Sequence, residues 1–426
     1  MQEADLLIHT SGQLLTLAGN PQRGSALGDL GLIKAGAVVI KQGEIVAVGK
    51  EEALRSQYHV SRQIDAAGGV VLPGFVDPHT HLVWAGDRAR EFEMRLAGAS
   101  YMEIMAAGGG ILSTVRQTRE ATTDELRGQA GPRLRRMLAH GTTTAETKTG
   151  YGLQTESELR MLEAILQLDK QGPIELAPTF LGAHAIPPEY EERSEAYVDH
   201  LCDTMLPAVK QWWQENAAGR SLPFVDVFCE KGAFSLEQSR RILVRAQSMG
   251  FPLKIHADEF EGLGGTGLAV ELGAVSADHL VRTPQEDILS LGRSETVAVA
   301  LPCTPFGLAE LDYTPATAIL EAGGILALAT DLNPGTAWCE SMQFAIALGC
   351  RYMRLTPAQA IVAATINAAA AIDRADRVGS LEAGKQADVL ILEVPDYRQL
   401  GYRFGANLVS TVVKRGKVVH QSGNGA

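Results

Sequence analysis

The chain has 426 residues, 46% of them hydrophobic and 21% charged, with a formal net charge of -12. That is the balance of a globular chain with room for one large α/β domain and a smaller one, and its acidity argues against nucleic acid or an anionic membrane as the main partner. No apolar stretch is long enough to span a bilayer, the start Met1-Gln2-Glu3-Ala4-Asp5 lacks the basic and apolar regions of a signal peptide, and the five cysteines (Cys202, Cys229, Cys303, Cys339, Cys350) form no C-x-x-C pair, so a cytoplasmic protein with reduced thiols is expected.

In chain order, residues 4–17, 36–48 and 62–72 are β-type runs rich in Val, Ile and Leu, with turns such as Lys41-Gln42-Gly43-Glu44 between strands. The far end is similar. Residues 387–392 and 409–414 read as strands, and Arg415-Gly416-Lys417 turns the second into Val418-Val419-His420. Neither end has enough strands to stand alone. The expectation is one small composite β-sandwich from residues 1–70 plus 376–426, flanking a central domain of 71–375.

That central domain alternates strand candidates at 71–78, 141–147, 174–181, 224–229, 252–257, 273–278, 296–301 and 325–330 with helical stretches such as 124–139, 156–170, 235–249 and 357–372. Eight β-then-α units predict a (β/α)8 TIM barrel. A doubly wound sheet is the alternative, but no G-x-G-x-x-G follows a strand. Gly108-Gly109-Gly110 and Gly262-Leu263-Gly264-Gly265 read as loops or helix starts.

Barrels of this kind carry their chemistry where strands end. The first strand ends in His79-Thr80-His81, and on an extended segment two residues apart means one side. Later strand ends supply Glu146-Thr147-Lys148 and Tyr151, then His184, Glu230 and Lys231, His256-Ala257-Asp258-Glu259, Asp278-His279 and Asp331-Leu332-Asn333. Five of the ten histidines thus fall at strand ends. His79, His81, His256 and Asp331 form a nitrogen and carboxylate donor set that suits zinc or iron better than calcium or magnesium. His279 and Asp331 are candidate proton-handling groups beside it. Taken alone, Asp331 also fits a helix N-cap and His279 a buried structural histidine.

Together these residues resemble the amidohydrolase superfamily, on Pro73-Gly74-Phe75-Val76-Asp77-Pro78-His79-Thr80-His81 and on Gly379-Ser380-Leu381-Glu382-Ala383-Gly384-Lys385-Gln386-Ala387-Asp388-Val389. The likeness spans essentially the whole chain. Residues 84–92, 147–153, 180–184, 256–260 and 331–336 resemble, within it, the cyclic amidohydrolases of histidine degradation. The resemblance implies hydrolysis of 4-imidazolone-5-propanoate to N-formimidoyl-L-glutamate with one zinc or iron ion (Fe2+ or Fe3+) per subunit. It also implies substrate contacts from Arg88, Tyr151, His184, Glu259, Asn333, Gly335 and Thr336, a catalytic part for His279, Asp331 and Glu259, and a homodimer. An Arg88 fork suits the propanoate, although the surrounding Asp87, Arg90, Glu91, Glu93 and Arg95 also fit a solvated helix face. Lys231 stands near the place where some superfamily members carry a metal-bridging carboxylated lysine; here it is expected to be a non-ligand. The rival readings are a purine or pterin deaminase of the same superfamily, since His256-Ala257-Asp258-Glu259 resembles its H-A-x-E signature, and a catalytically silent assembly protein.

Overall fold

A computed structural model describes residues 1–99, 103 and 108–423. Its centre is an eight-stranded parallel sheet curled into a barrel. The strands are β1 (Phe75–Asp77), β2 (Thr142–Lys148), β3 (Glu175–Ala183), β4 (Phe224–Cys229), β5 (Lys254–Ala257), β6 (Ser276–His279), β7 (Val297–Ala300) and β8 (Ile325–Leu328). Neighbours pair in chain order, as successive βα units do. The seam between β8 and β1 closes just beyond the strand ends. There Asp331 N donates to His79 O at 3.1 Å and His81 N to Leu332 O at 2.8 Å, while the Asp77 carboxylate accepts from Thr330 N and Oγ1 at 3.1 and 2.5 Å. The seam is therefore made by the segments that bear His79, His81 and Asp331.

Two side sheets complete the expected α/β architecture. One contains Gln2–His9, Gly36–Lys41, Glu44–Lys50 and Tyr58–Asp65; the other joins Gln13–Leu15, Leu32–Lys34 and Val70–Pro73 to Val389–Leu392, Val409–Lys414 and Lys417–Gln421. Val70–Pro73 is the splice between the termini, antiparallel to Val389–Leu392 and parallel to Gln13–Leu15. The two sheets share one apolar cluster, with Leu6, Ile8, Val38 and Ile40 against Leu14, Val71, Val389 and Val413. Gln42-Gly43 and Arg415-Gly416 turn their hairpins with both φ values positive (53° and 85°, 47° and 71°), the geometry that two-residue loops between twisted strands favour. All five cysteines are free.

The expected runs 4–17 and 62–72 each divide into two strands in different side sheets, and two further elements differ from the sequence expectation. The run 71–78 is two strands, because Gly74 lets the chain leave the side sheet and enter the barrel against β2; a Cβ there would lie 2.1 Å from Thr143 Oγ1. The expected helix 357–372 is broken into Pro357–Ala363 and Ile366–Ala370. The Ala364 carbonyl is taken by Val76 N of β1 at 3.0 Å, and Thr365 Oγ1 donates back to Ile361 O at 2.6 Å, so the helical ladder is interrupted at Ala364 and resumes from Thr365 O. The other helices stand close to expectation, at Thr123–Ala139, Thr155–Gln171 and Leu236–Ser248. Thr122 with Glu125, and Ser235 with Gln238, form capping boxes that start the first and third. Among the described residues no helix is long and apolar enough to cross a membrane.

Candidate metal centre

His79, His81, His256 and Asp331 converge at the C-terminal mouth of the barrel. Asp331 Oδ1 lies 3.4 Å from His79 Nε2 and 3.5 Å from His81 Nε2, and His81 Nε2 lies 3.5 Å from His256 Nε2. A tetrahedral zinc ion with bonds of about 2.0–2.1 Å holds its donors roughly 3.3–3.4 Å apart, so the spacing fits a metal ion. His79 Nε2 and Asp331 Oδ1 are buried and have no hydrogen-bond partner among the described residues; bare polar atoms of this kind cost about 1–3 kcal/mol each, and one cation satisfies both. Burial holds the His79 and His81 imidazoles well below their ordinary range, in the neutral form a metal needs. Burial pushes the Asp331 carboxyl up to about 6, against the hydrogen bond from Thr304. Thr304 Oγ1 donates to Asp331 Oδ2 at 2.5 Å, which leaves Oδ1 for the metal position. Asp331 (φ 52°) and His279 (φ 80°) both sit in left-handed backbone, a strain that recurs at functional sites.

Carboxylates stand behind two of the three imidazoles. His79 Nδ1 is hydrogen bonded to Asp278 Oδ2 at 2.6 Å, which fixes the tautomer that presents Nε2 to a metal, and His256 Nδ1 lies 3.0 Å from Asp226 Oδ2 in a charge contact. The sequence reading placed Asp278 at a strand end without giving it this role, and it missed Asp226, Asp77 and Lys254. Asp226 had a signal, a single polar residue inside the apolar strand Phe224–Cys229, whereas Asp77 and Lys254 stand at strand ends.

His279 and Glu259 stand on one side of the centre, with His279 Nδ1 3.6 Å from Glu259 Oε1 and the His279 ring centroid 5.3 Å from that of His256. Burial, reinforced by the charge of Asp331, drives the Glu259 carboxyl well up, and burial drives the His279 imidazole well down. Both groups are therefore set to be neutral. On the opposite side His184 stacks on His81, with centroids 4.8 Å apart, and Tyr151 lies 5.3 Å from His184. The loop carrying Tyr151 is clamped by the buried Glu158 carboxylate, which accepts from Gly150, Gly152 and Leu153 N at 3.0, 2.7 and 2.8 Å.

Arg88 caps the helix Ala89–Leu96 and reaches over the loop that follows β8. Its Nε and Nη2 both lie 2.8 Å from Glu91 Oε2, and a Cβ on Gly335 would come within 2.4 Å of its Nη1. The absence of a side chain at Gly335 is what admits the guanidinium. Asn333 is largely committed to its own loop: Oδ1 accepts from Gly335 and Thr336 N at 2.8 Å each, and Nδ2 donates to Asp331 O at 2.7 Å and Thr336 Oγ1 at 3.0 Å. Lys231 lies apart, 72% exposed and 2.7 Å from Glu261, in keeping with a non-ligand. Glu230 instead accepts from Phe260 N at 2.9 Å, supporting the loop behind Glu259.

Residues 70–419 match the Amidohydrolase family. Imidazolonepropionase of Herpetosiphon aurantiacus is 56% identical over 422 residues, 99% of each chain. That of Chloroflexus aggregans is 52% identical over 423 residues, 98% of this chain and 99% of the other. Among solved structures, a zinc-bound adenosine deaminase from Xanthomonas campestris aligns with a TM-score of 0.72 at 19% identity, covering 98% of this chain and 93% of that one. Guanine deaminase of E. coli aligns with a TM-score of 0.71 at 16% identity, covering 97% and 98%. At such identities the structural likeness speaks for the fold alone, whereas the full-length sequence likeness is of one kind: the chain belongs to the amidohydrolase family and, within it, to the imidazolonepropionases.

Proposed function

We infer that the chain performs the imidazolonepropionase step of histidine degradation, opening the cyclic amide of 4-imidazolone-5-propanoate to N-formimidoyl-L-glutamate, with one zinc or iron ion held by His79, His81, His256 and Asp331. The observation that carries the metal assignment is the convergence of three imidazole nitrogens within 4.8 Å of one another, with Asp331 Oδ1 3.4 and 3.5 Å from those of His79 and His81. When bound, such an ion supplies Lewis acidity and a nucleophilic water at neutral pH.

The chain's residues do the rest. Arg88 pairs with the propanoate through the guanidinium edge that Gly335 leaves open, with Tyr151 and His184 closing the same side. This fork favours a carboxylate-bearing substrate over a free nucleobase. Glu259, kept protonated by burial, donates to the substrate ring, and neutral His279 polarises the carbonyl under attack. The Asp331 carboxylate takes the proton released as water adds, and the resulting carboxylic acid passes it to the ring nitrogen as the C–N bond breaks. Asn333 and Thr336 shape the loop that brings Gly335 to the substrate side of Arg88. A homodimer, a cytoplasmic location and the division into 1–70 plus 376–426 and 71–375 complete the proposal. The half-exposed Phe306, Trp338 and Phe404, which line one groove, support a second copy on that face.

Stripping the metal and adding it back tests the assignment. Activity is expected to return linearly and to saturate at one equivalent per chain. Saturation at two equivalents, or full activity in the stripped protein, would overturn it.

A further inference from the structure

Lys148, the last residue of β2, is fully buried in the barrel beneath the histidines. Its Nζ donates to Glu146 Oε1 at 2.6 Å and to Asp226 Oδ2 at 2.8 Å, and lies 3.7 Å from Asp278 Oδ2. Each of these carboxylates leads to a different part of the ligand set. Asp226 Oδ2 stands 3.0 Å from His256 Nδ1, and Asp278 Oδ2 stands 2.6 Å from His79 Nδ1. Glu146 Oε2 accepts from Thr80 N at 3.1 Å, while the Glu146 carbonyl accepts from Thr80 Oγ1 at 2.6 Å. Thr80 is the residue between His79 and His81. One ammonium thus lies against the carboxylates behind His79 and His256 and the one that holds the Thr80 backbone between His79 and His81.

We propose that Lys148 is a positioning residue for the metal, setting the affinity and geometry of the ligand set through Asp226, Asp278 and Glu146. The proposal rests on His79, His81, His256 and Asp331 being the ligands. Without the ammonium, three carboxylates confront one another where water is excluded, and they move apart. The His79 imidazole, bonded to Asp278, and the His256 imidazole, in charge contact with Asp226, move with them. Lys254 does not replace it. Its Nζ lies 3.7 Å from Asp278 Oδ2, but it donates to Pro78 O and Ala371 O, at 3.3 and 3.0 Å.

The alternative is that Lys148 merely neutralises Glu146. Two variants separate the two roles: Lys148→Met, and Glu146→Gln with Lys148→Met, in which the carboxylate and the ammonium go together and the amide oxygen still accepts from Thr80 N. Zinc affinity is measured on stripped full-length protein by competition with a chromophoric chelator, and site geometry by the visible absorption of the cobalt form. Both variants are expected to bind zinc about 10–100-fold more weakly, the usual penalty for disturbing the groups that orient metal ligands, and to shift the cobalt bands. Wild-type affinity in Lys148→Met, or its recovery in the double variant, would overturn the proposal. If Lys148→Met fails to fold, the double variant alone decides. A wild-type protein that binds no metal, or His256→Ala that binds as tightly as wild type, would instead sink the ligand assignment on which the proposal rests.

Discussion

Arg88→Ala is the sharpest probe of substrate recognition. In the structure both Nε and Nη2 of Arg88 lie 2.8 Å from Glu91 Oε2, so the guanidinium is held in place by one carboxylate while its Nη1 side faces Gly335. Losing a charge-assisted fork costs about 1.5–3 kcal/mol, equivalent to roughly 10–150-fold in affinity. The upper end applies, because Glu91 is then left as an unpaired carboxylate beside the propanoate. The propanoate is remote from the C–N bond being broken, so the interaction is the same in ground and transition states and the loss falls on KM. Steady-state kinetics following N-formimidoyl-L-glutamate should show KM raised on the order of 100-fold with kcat changed by less than about 3-fold. Arg88→Ala with Glu91→Ala should recover part of the loss by removing the repulsion. A collapse of kcat at unchanged KM would refute this role for Arg88.

Two further outcomes follow from particular contacts. Gly335→Ala places a methyl 2.4 Å from Arg88 Nη1; the guanidinium is the end of a flexible side chain and swings aside, so the fold should stand while KM rises by roughly 10-fold, and an unchanged KM would show that Arg88 is not needed where it now sits. Glu175, at the start of β3, is gripped by Arg374, Arg377 and Arg415. Burial works against its charged form, but Arg374, Lys414 and Arg377 overcome that and hold its pKa down at about 2, from 4.5. A depressed carboxylate contributes stability that is complete above its unfolded pKa and fades as pH falls through the folded one. The window is therefore pH 4.5 down to about 2, and the contribution is about 3 kcal/mol. Urea unfolding across that range should show wild type losing about 3 kcal/mol more than Glu175→Gln; equal slopes in the two proteins would refute the linkage.

The metal-ligand candidates were legible because their signal is local. His79 and His81 share a side through the two-residue period of an extended segment, and His256, His279 and Asp331 stand where short apolar runs end. What could not be read were pairings made at long range. Nothing near Gly74 announces that Val70–Pro73 pairs with Val389–Leu392 while Phe75–Asp77 enters the barrel. Nothing within residues 357–372 announces that the Ala364 carbonyl is claimed by Val76. Asp226 and Lys254 looked like lone charges in apolar strands, and Lys148 like one more polar strand end, because their partners arrive on other strands. Asn333 entered through family likeness as a substrate contact; that its amide is engaged by Gly335, Thr336 and the Asp331 carbonyl could not be read from the sequence.

The most direct measurement is to incubate metal-replete protein with 4-imidazolone-5-propanoate and to quantify N-formimidoyl-L-glutamate and ammonia together. The account predicts stoichiometric N-formimidoyl-L-glutamate with no ammonia, and loss of turnover in His256→Ala. Ammonia release in step with substrate loss, or turnover that survives without His256, would contradict it.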